Sequence, residues 1–312
     1  MPKKVLISGI TGFLGSHIAH KFHANGYQII GLRRKSSELW RCSEIMVDII
    51  WIDIYIDGWK AEVLNFKPDI FIHAAWDGIS PNERNDLKAQ LKNLDLLVDL
   101  LELAKFSKAR KFLGLGSQAE YGKLNEIVRE EWKLFPENAY GTVKIAASVL
   151  VELFCEQNGI TWYWLRLFSF YGEKEANNWL IPSVINKILD GEKELHFTEC
   201  KQEYAYLYAE DMADAVLSLE KKDAASGVYN VSANKIITLK TLIIRLVELM
   251  GKKNSVDLKF GSLPMRENQS MLIAGDMNKF NTQVNKIEET ELEVGLKKTI
   301  DYYTSTHKNK LQ

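Results

Sequence analysis

Cysteine is scarce in this chain. Cys42, Cys155 and Cys200 make three, an odd number, far apart and in no C-x-x-C or Cys/His ligand spacing. That pattern excludes a disulfide framework and a cysteine-built zinc site, and reads as buried or idle thiols in a reducing cytoplasm. Excess charge is missing too: 40 Lys+Arg against 41 Asp+Glu leave a net charge of −1. A nucleic-acid partner is therefore not expected, because phosphate binding leans on surplus Lys and Arg. Long apolar runs are also absent. After Lys3 and Lys4 only Val5 to Ile7 are apolar before Ser8-Gly9, too short for a signal-peptide core. No stretch reaches the roughly 18 residues of a membrane span. No internal repeat or low-complexity segment is found, and only the polar, lysine-rich tail from Thr304 reads as frayed.

What is present is an ordinary folding composition, 46% apolar and 26% charged over 312 residues, enough for one large or two modest domains. The first half alternates short β-branched runs with helix-period segments. Strands are expected at Val5–Ser8, Tyr27–Leu32, Ile49–Asp53, Ile70–His73, Lys111–Leu115 and Thr161–Arg166. Each is apolar throughout, as in a parallel sheet covered on both faces. Between them Gly15 to Ala24, Leu87 to Lys105 and Ala139 to Gln157 repeat apolar residues at three- and four-residue spacing. This βαβ order implies an α/β fold, a doubly wound parallel sheet with a smaller C-terminal substrate-binding domain. A Pro182-led helix, a Gly191 turn and an amphipathic helix at 238–250 follow, and the strand Gly227–Val231 is expected to return to the first sheet. The expected division is a dinucleotide-binding domain at 1–171, with a returning segment at about 204–232, and a discontinuous domain at 172–203 and 233–312.

Gly9-Ile10-Thr11-Gly12-Phe13-Leu14-Gly15 begins where the first strand stops. In this G-x-x-G-x-x-G spacing, the first glycines allow a sharp turn and close approach to a pyrophosphate. The third allows tight helix–strand packing, and the helix N-terminus offers unpaired N–H groups to the anion. An acidic residue at the end of the second strand favours NAD; here Arg33-Arg34-Lys35 stand there, suited to gripping a 2′-phosphate. NADPH is the expected cofactor, with NAD the alternative. Asp53 and Ile54 end the third strand where a carboxylate meets an adenine amino group and an apolar neighbour flanks the ring. Ala74 and Ala75 follow His73, where small side chains let the cofactor backbone pass.

Tyr140-Gly-Thr-Val-Lys144 places a phenol and an ammonium one helical turn apart on one face. With 12 Tyr in the chain, about one Tyr-x-x-x-Lys pair is expected by chance, so its weight comes from position. It follows Gly116-Ser117-Gln118-Ala-Glu-Tyr121-Gly122 at the carboxyl end of the fifth strand, the edge where open α/β sheets bind ligands. Ser117 can polarise a carbonyl oxygen there. Tyr140 can move a proton if its pKa, near 10 when unperturbed, is lowered by Lys144 and a cationic nicotinamide. Other aromatics and histidines have plainer readings. Trp162, Trp164 and the Tyr204/Tyr206/Tyr208 alternation suit strand packing, and His17, His20 and His23 suit a solvated helix face, so no metal site is expected.

These residues resemble the extended short-chain dehydrogenases/reductases acting on nucleotide sugars, the NAD-dependent epimerase/dehydratase family. The resemblance runs from Val5 to about residue 280 through the glycine loop, Asp53, His73-Ala-Ala75, Asn93, Ser117, Tyr121-Gly122, Tyr140 with Lys144, Arg166 to Gly172, Trp179-Leu-Ile-Pro182, Tyr206 to Asp211, and Arg266 with Asp276. It implies a Rossmann-type fold and catalytic roles for Ser117, Tyr140 and Lys144, with Tyr140, Lys144 and Asn93 also against the cofactor. It places Gln118 beside the substrate and Asn178 and Arg266 at the diphosphate of a nucleotide-diphosphate sugar. A homodimer through the helices carrying Asn93 and Tyr140 is implied by the same analogy.

Three departures narrow the expectation. Gln118-Ala119 stand where family dehydratases tend to carry Asp-Glu, which disfavours loss of water unless Glu120 takes that part. Tyr204 stands where many members place a phosphate-binding arginine, and the usual Leu-Gly-Trp after Phe280 is missing. The expected function is an NADPH-dependent reductase delivering hydride to the 4-keto group of a nucleotide-diphosphate 4-keto-6-deoxyhexose. The alternative is an NAD-dependent nucleotide-sugar 4-epimerase, and a further alternative is a non-catalytic NADP(H)-binding regulator.

Overall fold

The computed structural model describes residues 2–265 and 269–310. Six strands follow one another, with α-helices in every connection but that from the second to the third, which holds only short 3-10 turns: β1 (Lys4–Ser8), β2 (Gln28–Arg33), β3 (Ile49–Asp53), β4 (Ile70–His73), β5 (Lys111–Ser117) and β6 (Thr161–Leu167). The strand Gly227–Val231 returns to pair with β6, giving a seven-stranded sheet in which β6, β5, β4, β1, β2 and β3 then succeed one another. Every pairing in it is parallel. The chain runs outward from β1 to β3 and then crosses back to β4, so the order reverses between β1 and β4. That switch point opens a crevice at the carboxyl ends of the strands.

Alternation along β1 shows that both faces are covered. Val5 and Ile7 join one core with Ile18 and Phe22 of α1 (Phe13–Ala24) and Met212 and Val216 of the helix Ala209–Lys221. Leu6 joins the opposite core with Val63 of α2 (Trp59–Phe66), Leu97 and Leu101 of α4 (Asn93–Phe106), and Ala147 and Val151 of α5 (Ala139–Asn158). The short α3 (Leu87–Leu91) precedes α4, so the segment expected as one helix from Leu87 is broken at Lys92. Trp162 and Trp164 are buried in the second core, as the packing reading has it.

A third core lies outside the sheet, where Ile181 and Ile185 of the helix Leu180–Leu189 meet Leu242 and Leu246 of the helix Leu239–Leu249 and Leu296 and Ile300 of the helix Leu292–Lys310. Pro182 falls in the first turn of its helix, where a missing N–H costs no intrahelical bond. The tail expected to fray from Thr304 instead continues the last helix to Lys310, held by buried Ile300 and Tyr303 on the preceding turns. Among the described residues no helix is long and apolar enough to cross a membrane.

Candidate functional site

The glycine loop fills the switch point. Gly9 has φ +68, and a Cβ there would lie 2.5 Å from the Ala75 nitrogen, so glycine is required both by backbone and by contact. A Cβ on Gly15 would strike the Gly9 carbonyl. No side chain caps α1 at Gly12, and its first turn carries no acid, which leaves N–H groups at the positive end of the helix. Phe13 packs edge-on to His17 at 5.4 Å, Leu14 packs on the core, and the Thr11 carbonyl accepts a hydrogen bond from Arg41 at 3.3 Å.

Along the crevice, Arg33 ends β2 opposite Asp53 in register, and the Arg33 Nε is buried without a partner. Arg34 is exposed and donates to both carboxylate oxygens of Asp77, at 3.0 and 3.2 Å. Asp53 accepts the Tyr55 N–H at 3.0 Å, and the half-buried Ile54 donates its N–H to the Arg33 carbonyl at 3.0 Å. Asn93 accepts the Asp77 N–H at 2.7 Å and donates to the Asp77 carbonyl at 3.2 Å, so it pins the loop after Ala74 and Ala75. An uncapped helix start, a glycine turn without room for Cβ, and an unpartnered guanidinium nitrogen are a donor set that fits a dinucleotide with its pyrophosphate and ribose.

At the other end, Ser117 closes β5 with a reciprocal cap. Its Oγ accepts the Ala119 N–H at 3.2 Å, while the Glu120 carboxylate accepts the Ser117 N–H at 2.8 Å. This fixes the hydroxyl and leaves its hydrogen to donate. α5 starts at Asn138, which accepts the Gly141 N–H at 2.9 Å, and ends at Gly159 in the left-handed conformation. The cap sets Tyr140 in the first turn and Lys144 one turn later. The Ser117 side chain acts on the Tyr140 hydroxyl and lowers its pKa, and the Lys144 Nζ lies 5.9 Å from the Tyr140 ring. The structure therefore brings the three together, with Gln118 half-buried beside them.

The electrostatics differ from the expectation of an acidified phenol. Burial pushes Tyr140 above its ordinary value, outweighing the Ser117 hydrogen bond and the Arg84 charge that lower it. Burial also pushes Lys144 down to about 7, with Glu120 acting the other way. In the protein alone, desolvation outweighs the attraction of opposite charges, so the lysine by itself does not lower the phenol. His73, buried behind them with Nδ1 2.9 Å from Ser8 Oγ, is held neutral at about 3 by burial and by Lys144.

Other expected residues scatter. Asn178 is exposed in the turn before Leu180, and Arg266 lies outside the described residues. Glu120 is no free acid: it is buried, paired with Arg166 and bonded to the Trp164 indole. His17 is buried rather than solvated, with Nε2 2.9 Å from the Glu173 carbonyl, because the turn after Tyr171 covers it. Its imidazole falls to about 4, chiefly through burial. Among the described residues no group of His, Cys, Asp and Glu is placed to hold a metal. Trp76 and Arg84 were not anticipated. Trp76 stands 3.6 Å over the Lys144 ammonium and edge-on to Tyr140 at 6.1 Å, and the Arg84 carbonyl accepts the Tyr140 N–H at 2.8 Å. The one signal for Trp76 was its place directly after His73-Ala-Ala75.

Known proteins share this architecture. The chain is 27% identical to the CDP-abequose synthase of Salmonella muenchen over 308 residues, covering 96% of this chain and 97% of that one. A UDP-N-acetylglucosamine 4-epimerase from Methanobrevibacter ruminantium M1, solved with UDP-N-acetylmuramic acid, superposes with a TM-score of 0.86 at 22% identity over 98% of this chain and 99% of that one. The UDP-glucuronic acid 4-epimerase from Bacillus cereus, solved with UDP-glucuronic acid and NAD, does so with a TM-score of 0.83 at 21% identity, over 97% and 99%. Both structures share the fold. The model of the NAD dependent epimerase/dehydratase family matches residues 5–232, well over half of the chain, and this protein belongs to that family.

Proposed function

We propose that the protein is an NADPH-dependent reductase acting on the 4-keto group of a nucleotide-diphosphate 4-keto-6-deoxyhexose. The observation that carries this reading is the meeting of Ser117, Tyr140 and Lys144 at the carboxyl edge of the sheet beside a Glu120 already committed to Arg166. A hydroxyl and a phenol are what ketone reduction needs, and among the described residues the acid beside Ser117, Glu120, is not free to remove water. The similarity to a CDP-abequose synthase supports a nucleotide-linked deoxysugar as the product.

The cofactor supplies the hydride when bound. Gly9, Thr11, Gly12, Phe13, Leu14 and Gly15 would cradle its pyrophosphate, with Asp53, Ile54, Ala74, Ala75 and Asn93 along its length. Arg33 and Arg34 favour a 2′-phosphate, and this sets the reading against an epimerase that keeps NAD. Ser117 donates to the ketone oxygen, and Tyr140 gives that oxygen its proton as the carbon is reduced, so the product gains one hydride and one proton. Lys144 keeps positive charge beside the phenol. Residues 172–203 and 233–312 would form the lobe that receives the sugar nucleotide, with Asn178 and Arg266 at its diphosphate. We also infer a homodimer through α4 and α5.

The test is turnover of a panel of nucleotide-linked 4-keto-6-deoxyhexoses with NADPH or NADH, following loss of reduced nicotinamide and a product heavier by two hydrogens. Turnover abolished by Tyr140→Phe is expected. Stoichiometric NAD released on denaturation, together with 4-epimerase activity, would replace this reading by the epimerase. No turnover with any substrate would point to a regulatory dinucleotide binder.

A further inference from the structure

Lys144 brings an ammonium into a wholly enclosed position, and the carboxylate that acts on it, Glu120, is committed to Arg166. Among the described residues its one hydrogen bond goes to the Leu115 carbonyl at 2.6 Å. Aromatic rings surround the rest of it. The Nζ is 3.6 Å from the centroid of the Trp76 ring, 5.7 Å from that of Trp164 and 5.9 Å from that of Tyr140. All three lie within the roughly 6 Å over which a ring face attracts a cation, and indole attracts most strongly.

Neither indole is free to turn away. The Trp76 Nε1 donates to Gln90 at 2.9 Å, and Gln90, itself buried, donates on to the Gly78 carbonyl at 2.8 Å. The Trp164 Nε1 donates to Glu120 at 2.9 Å. The same Trp76 ring meets Tyr140 edge-on, with an interplanar angle of 88°. One fixed indole thus contacts both the ammonium and the phenol.

We propose that Trp76 and Trp164 form an aromatic cage that keeps Lys144 protonated and aimed along Tyr140, with Trp76 a positioning residue for the proton donor. The cage takes over the part an acidic side chain would play, without adding a carboxylate that would hold the phenol protonated. The titratable groups facing Lys144 are Tyr140 on its own helix, Glu120 after β5 and His73 at the end of β4. His73 is neutral, so it does not compete for the charge. The role assigned to Trp76 rests on the proposed function, whereas the cage itself does not depend on any substrate.

Two views of Trp76 predict shifts of opposite sign. If the indole only excludes water, replacing it admits water and raises the lysine's titration midpoint. If its face holds the cation, an aliphatic replacement, which offers no ring face, lowers it. The experiment is a pH titration of the lysine side-chain carbon and nitrogen resonances in the full chain without cofactor, with Lys144 assigned by loss of its signal in Lys144→Met. In Trp76→Leu the midpoint is expected to fall by about one pH unit, and in Trp76→Phe by less. A midpoint that stays or rises in both variants overturns the cage. Should Trp76→Leu fail to fold, Trp76→Phe decides by the sign alone. A lowered midpoint in a protein that reduces no keto sugar would leave the cage standing and remove the proposed reaction.

Discussion

Glu120 and Arg166 meet as an ion pair inside the protein, carboxylate to Nε at 2.7 Å, with side chains 0% and 4% exposed. The pair joins the turn that presents Ser117 to the strand β6 beneath it. Glu120 also accepts from the Ser117 N–H and the Trp164 indole, so a residue that resembles a displaced dehydratase acid is instead the base on which the site is built.

Removing one partner should therefore show in stability before it shows in chemistry. Glu120→Ala leaves a buried guanidinium without its countercharge, a change that costs about 3–5 kcal/mol. Arg166 keeps contacts at 3.0 Å with the Tyr121 hydroxyl and the Glu130 carbonyl, which places the expected loss at the lower end. Urea unfolding of both chains measures it, and an unmoved midpoint would show that the pair does not hold the turn.

A second buried acid gives stability a pH dependence of definite sign. Burial raises Glu175 from 4.5 to about 8, beside Tyr206 and Tyr303, which feel its charge. The folded pKa lies above the unfolded one, so the folded chain holds the extra proton between them. Its contribution is fully present below about 4.5 and is lost as pH rises to about 8. From pH 4.5 to 7 the loss is about 3 kcal/mol, at 1.36 kcal/mol for each unit. Glu175→Gln removes it, so the variant should gain on the parent steadily across that window and no further above pH 8. Denaturant titrations at several pH values check this, and a constant difference between the two proteins would contradict it.

What was legible in the sequence was what is local. The glycine loop could be read because strand, turn and helix follow one another within twelve residues of chain, and each glycine answers a nearby contact. Tyr140 and Lys144 share a face because a helix repeats that way. Two kinds of feature were not readable. The parallel pairing of Glu194–Phe197 with Asp257–Phe260 joins segments with no local signal linking them. His17 shows the other kind: spacing placed it on a face with His20 and His23, while the turn that buries it comes from Glu173. Trp76 is similar, since no periodicity tells that a side chain after β4 will cover an ammonium on α5. The burial that raises Tyr140 in the protein alone is likewise not readable from spacing.

The basic turn after β2 should set cofactor preference. Arg33→Ala with Arg34→Ala is expected to weaken NADPH by roughly 10–100-fold while NADH changes little, since charge-assisted hydrogen bonds contribute about 1.5–3 kcal/mol. Arg34 is held by Asp77, an exposed pair of little strength, so Asp77→Asn frees the guanidinium and should tighten NADPH modestly. Calorimetric titration of both dinucleotides reads each effect. Equal weakening of NADPH and NADH would assign these arginines to the pyrophosphate or to the fold.

Assembly gives a prediction with a geometric basis. Val149, Leu150 and Leu153 are exposed at 53%, 37% and 53%, and their one-, three- and four-residue spacing puts them on one face of α5, away from buried Ala147 and Val151. The adjoining α4 exposes Val98. A two-fold axis that laid these helices against their copies would cover that face with itself, as an isologous interface requires. Leu150→Glu with Leu153→Glu would bring four carboxylates together in such an interface, without partners and stripped of water, and should yield a monomer where the parent sediments as a dimer. Since both substitutions sit on solvent-exposed positions of the single chain, its circular dichroism should be unchanged. A parent that sediments as a monomer at micromolar concentration would end the proposal, and a double variant that remains dimeric would move the interface to another face.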